Sequence, residues 1–195
     1  DYLADAFAAQ KRAALAQINN AYQQNVNAIN RAGEGVDTRY QNARNQAAGA
    51  SELAARNFNE YAAAAGLNSG AGGQAELARN VALQNNLNDL STAEAQTYAD
   101  LEQQMANAEV EYNNAIAEAE ANGDAALASA LYQEKVRVQQ ANMEALMQQY
   151  QMDLQKQQLQ YQQKQDAASS ALAERQQMAQ YGNTFLEMGL MPSQE

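Results

Sequence analysis

The sequence contains no cysteine, no histidine and no tryptophan, and its single proline, Pro192, lies near the C-terminal end. Without thiols or imidazoles there can be no disulfide, no Cys/His zinc site, no cysteine nucleophile and no histidine general base. An enzyme made from this chain would have to work with carboxylates, so we expect no catalytic residue, no cofactor and no metal. Large aliphatic side chains are scarce as well. Leu, Ile, Val and Phe together number 29 of 195 residues, below the level of a compact globular core. Only 13 residues are β-branched, which leaves little from which to build a sheet. Long apolar runs are missing too. The longest small-residue run, Ala62 to Ala65, falls far short of the roughly 18 residues that a transmembrane helix requires.

What the chain does have is 44 Ala, 28 Gln and 20 Asn. Alanine and glutamine are good helix formers, and the expected fold class is all-α, with long helices and helical hairpins. The formal net charge is −11, from 23 acids and 12 bases. Lys11 and Arg12 form the only adjacent basic pair, so the clustered cations that release counterions from phosphates are not there. No sequence-specific nucleic-acid binding is expected. Basic amphipathic membrane helices are equally unsupported, because the polar faces carry Gln and Asn.

Glycine divides the chain. Residues 1–66 carry apolar side chains at helical spacing on both sides of Gly33 and Gly35, and read as an N-terminal helical hairpin. Residues 67–73 read as a Gly-rich loop; it lacks the strand and the Lys-Ser/Thr of a phosphate-binding loop. Residues 74–122 form a central helical segment, where Ser91-Thr92-Ala93-Glu94 resembles a capping box and suggests a break near Leu90. Gly123 stops that segment, and Asp124 serves as the next N-cap.

Residues 124–181 contain neither Gly nor Pro and read as one long helix. Its larger side chains fall into a seven-residue register of the coiled-coil kind: Val136, Gln140, Met143, Met147, Tyr150, Leu154, Gln157 and Tyr161. A lone helix cannot bury that seam, so these eight residues are the expected contact between copies in a homo-oligomer. Residues 182–195 form an apolar tail in which Phe185, Leu186, Met188, Leu190 and Met191 are candidates for docking. Two destinations are open to the tail, its own bundle or another subunit. The acidic set Glu109, Glu111, Glu118 and Glu120 reads as a solvated helix face, since nothing in the pattern supplies the burial that tunes paired catalytic carboxylates.

Three stretches carry a resemblance: Ala65 to Gln74 (AGLNSGAGGQ), Gly123 to Glu134 (GDAALASALYQE) and Gln180 to Phe185 (QYGNTF). Set in Ala/Gln/Asn-rich helices, they resemble virion proteins of tailed phages and prophages, most closely the small internal or ejection proteins packaged in the head. The likeness covers about residues 45–190 and lies in style and loop punctuation. It implies a helical oligomer in the phage particle, made in the bacterial cytoplasm, that aids genome delivery and meets other virion proteins such as portal or tail components. The alternative is a capsid scaffolding protein or assembly chaperone, which is likewise helical and acidic.

Overall fold

The computed structural model describes residues 1–66, 69–121 and 123–187, and these are almost wholly helical, with no strand among them. Three helices follow one another: α1 (Tyr2–Ala65), α2 (Ser69–Ala121) and α3 (Ala125–Glu187). The expected all-α class is what the chain adopts.

Its punctuation is sparser than the glycines suggest. α1 passes through Gly33 and Gly35 as one 64-residue helix, so the expected N-terminal hairpin is absent. A mid-helix glycine costs only about 1 kcal/mol relative to alanine. Burial of Ile29 on one side and Val36 on the other holds the helix through that point. The turn falls instead at Gly66, whose φ of 68° only glycine adopts freely, and whose amide donates to the Ala63 carbonyl at 3.4 Å. α2 already begins at Ser69, inside the expected Gly-rich loop, and Ala75 anchors its start by packing against Phe58. No break occurs near Leu90, which is fully buried. At the second turn the side chain of Asp124 accepts from the Leu127 amide at 3.0 Å, the N-cap that the sequence indicates. α3 then runs on to Glu187, past the expected end of the heptad-bearing helix.

The chain divides into two compact units. The first comprises residues 1–40 and 92–153. Its core is built mainly from alanine: Ala14 and Ala21 of α1, Ala115 and Ala119 of α2, and Ala125 and Ala128 of α3, with Ile18, Tyr132 and Val136 among them. Small side chains let the helices approach closely, and tyrosines fill the remaining space. Tyr22 stacks on Tyr112 with ring centroids 4.3 Å apart, and Tyr112 tilts against Tyr132 at 6.4 Å. Gln17 meets Ser129, and Asn25 meets Gln139, so α1 and α3 run the same way here. Tyr40 lies against Thr97, and Tyr22 against Tyr112, which sets α2 antiparallel to α1.

The second unit comprises residues 41–91 and 154–195. Its buried set mixes Ala43, Ala47, Phe58 and Leu90 with the polar Ser51, Arg79, Asn86 and Gln165. Tyr161 donates to the Ala47 carbonyl and receives the Gln165 amide.

Candidate functional site

The heptad seam lies along the inward side of α3. Val136, Met143 and Tyr161 are buried, and Gln140, Met147, Tyr150, Leu154 and Gln157 are half-buried, so none of the eight is exposed. Within the first unit, Val136 packs among alanines of α1 and α2. Gln140, Met143 and Met147 line a groove of about 600 Å³ together with Ala28 and Arg31 of α1. Tyr150 donates a hydrogen bond to the Asp100 carboxylate of α2. Within the second unit, Gln157 and Tyr161 line a cleft of about 530 Å³ with Leu77, Val81 and Asn86 of α2. The seam that a lone helix could not bury is therefore faced by α1 and α2 of the same chain. Sequence periodicity identifies the face and cannot say which helices cover it.

Met188, Leu190 and Met191 fall outside the described residues, whereas Phe185 and Leu186 belong to the last turns of α3.

Charge is distributed unevenly. Between positions 94 and 124 there are eight carboxylates, Glu94, Asp100, Glu102, Glu109, Glu111, Glu118, Glu120 and Asp124, and no Lys or Arg. Of the acidic set singled out from sequence, Glu109, Glu118 and Glu120 are exposed, as a solvated face requires. Glu111 is half-buried, with Lys135 of α3 at 3.8 Å. Glu118 and Glu120 sit at the C-terminal end of α2, where the helix dipole disfavours anions and no base lies in the last turn. Lys11 of α1 offsets part of this, donating to the Glu120 carbonyl at 3.3 Å. Among the described residues, no group of three or more acidic side chains is arranged to hold a metal ion. No described helix is long and apolar enough to cross a membrane.

Beneath this acidic face lies Tyr132, whose hydroxyl has no hydrogen-bond partner among the described residues. Burial pushes its pKa up to about 12, with the neighbouring Tyr22, Tyr112 and Glu111 charges adding to the effect.

The feature that sequence reasoning passed over is on the opposite side of α3. Leu131, Val138, Ala145 and Met152 recur at intervals of seven residues, with Leu127 beside them, and all five are exposed. The signal is the same heptad arithmetic, started at a different residue; the inner seam, with its bulkier side chains, drew the reading to itself. No known protein family, curated protein or solved structure matches the chain.

Proposed function

We propose that this chain is a non-enzymatic structural protein of a tailed-phage virion. In this reading it is an internal or ejection protein, several copies of which form a helical ring or tube on the path of the genome. The observation that carries the proposal is the run of eight carboxylates without a base between positions 94 and 124. A wall of such helices repels a polyanion and guides DNA without holding it. Exposed Gln and Asn side chains keep the remaining surface wettable. The resemblance of the Gly-rich and Gln180–Phe185 stretches to phage virion proteins points the same way.

Cryo-electron microscopy of the particle before and after genome release tests this. The expected result is a symmetric, hollow helical assembly of this chain on the portal or tail axis. A chain found on the outer capsid face, away from that axis, would overturn it. Mass spectrometry of purified virions separates the scaffolding alternative, since a scaffold is gone from the mature particle.

A further inference from the structure

Buried positions recur every eleven residues, about three helical turns, along α1 at Asn25, Val36 and Ala47 and along α2 at Asn86, Thr97 and Ala108. In the first unit the buried polar side chains find partners. Asn25 donates to Gln139 at 2.8 Å, Thr97 to the Ala93 carbonyl at 2.8 Å, and Ser129 to Gln17 at 2.9 Å. The unpartnered buried atoms there, among the described residues, are the Tyr132 hydroxyl and one Glu111 oxygen, and that oxygen faces Lys135 at 3.8 Å.

The second unit is built differently. Phe58 packs on Ala75, and the same pairing three turns further from the Gly66 turn sets Ala47 level with Asn86. An alanine side chain offers an amide nothing, and Asn86, 5% exposed, has no hydrogen-bond partner for its Oδ1. Gln165, 2% exposed, gives its amide to Tyr161 and leaves its Oε1 unpartnered. Arg79 leaves its Nη1 unpartnered as well. Each of these groups costs its desolvation for as long as the unit stays closed. The cleft between α2 and α3 runs past Asn86 without wetting that oxygen.

We propose that the second unit opens on its own, with α3 from Leu154 onward lifting away from α1 and α2 while the first unit stays folded. The α1–α2 pair is the part that holds together. Gly66 joins the two helices, and Phe58 keeps both Ala75 and the Arg79 guanidinium against α1. Tyr161 ties α3 to this pair by donating to the Ala47 carbonyl, and at 3.4 Å that bond is long and weak. Departure of α3 returns the Asn86 and Gln165 oxygens to water. It exposes little of Leu77 and Val81, which line the cleft and are already exposed. Low-stability openings of this kind, confined to one part of a fold, arise where closing buries polar groups without satisfying them. The inference concerns a single chain and stands apart from the assembly reading above.

The test is thiol labelling of the full chain under native conditions, with circular dichroism as the control for folding. Since the sequence has no cysteine, Ala47→Cys and Ala21→Cys chains each carry one thiol, both on α1 and both at buried positions, one in each unit. When closing is fast relative to labelling, the rate follows the population of the open form. Ala47→Cys is expected to label at least about tenfold faster than Ala21→Cys. Asn86→Leu removes an unpartnered amide and is expected to slow labelling of Ala47→Cys at least about fivefold, leaving that of Ala21→Cys unchanged. Hydrogen exchange of the parent chain guards against an effect of the cysteine itself: residues 155–165 are expected to exchange ahead of residues 129–139, because a detached helix frays. One common rate for both thiols overturns the proposal, as does uniform exchange along α3 in the parent. Slowing of both thiols alike by Asn86→Leu means that the chain opens as one body, and overturns it too. No slowing of either removes the unpartnered amide as the cause, and with it the proposal.

Discussion

Asn25 of α1 donates a hydrogen bond to the side-chain carbonyl of Gln139 on α3 at 2.8 Å, and Asn25 is only 2% exposed. Two amides thus satisfy one another in the first unit, whose core is otherwise mostly alanine and tyrosine. A buried polar layer of this kind fixes helix register, at some cost in stability. Asn25→Ala leaves the Gln139 amide half-buried and unpaired, so a loss of about 1–3 kcal/mol is expected. Replacing both with Leu removes the polar groups together and is expected to be neutral or stabilising. Urea midpoints of the three proteins check this; equal losses for the single and double changes would show that the pair does not act as a unit.

Tyr132 gives the first unit an alkaline limit. Its folded pKa of about 12 lies above the ordinary phenol value of 10.0, so the protonated phenol is favoured by folding. Its contribution is fully present below pH 10 and is lost as pH rises from about 10 to about 12. Tyr132→Phe is expected to flatten the fall in thermal stability over that window. Because the hydroxyl has no partner, its removal is not expected to destabilise the protein at pH 7. Melting curves at several pH values, compared with the parent, provide the check.

The class of the fold was legible because alanine and glutamine leave no other regular structure open, and because Asp124 carries the chemistry of an N-cap. The single helix across Gly33 and Gly35 was not. Local propensity penalises those residues, and the compensation comes from Ile29 and Val36, which are buried by tertiary packing. The capping-box pattern at Ser91 misled for a similar reason. Thr97 lies inside the continuous helix, donating to the Ala93 carbonyl at 2.8 Å and meeting Tyr40 of α1. Of the candidate site, the inner seam was readable as a face. Its partners were not, because a period in one helix carries no information about which other helix lies opposite.

The C-terminal end of α2 carries charge of the unfavourable sign. Glu118 is exposed in its last turn and gains nothing from the dipole. Glu118→Lys is expected to stabilise the first unit by about 0.3–1 kcal/mol at low salt, and the gain should shrink as salt is added. Thermal melts at two ionic strengths read this directly. A gain that is independent of salt would assign the effect to something other than the helix dipole.

Arg79 supplies the last prediction. It is 7% exposed in the second unit, its guanidinium carbon lies 5.7 Å from the centre of the Phe58 ring, and its Nη1 has no hydrogen-bond partner among the described residues. Cation–π attraction to a phenyl ring is worth about 0.5–2 kcal/mol, less than the several kcal/mol it costs to desolvate a charge. The aliphatic stem still contributes packing against that ring. Arg79→Met keeps much of the stem's volume and removes the buried charge, so it is expected to raise the stability of the second unit. Arg79→Ala removes charge and packing together and is expected to fall below Arg79→Met by about 1–3 kcal/mol, the transfer and cavity cost of the lost methylenes. Denaturant titrations of the two variants beside the parent order the three proteins. If Arg79→Met proves the least stable, the guanidinium is stabilised in the fold by more than the Phe58 ring.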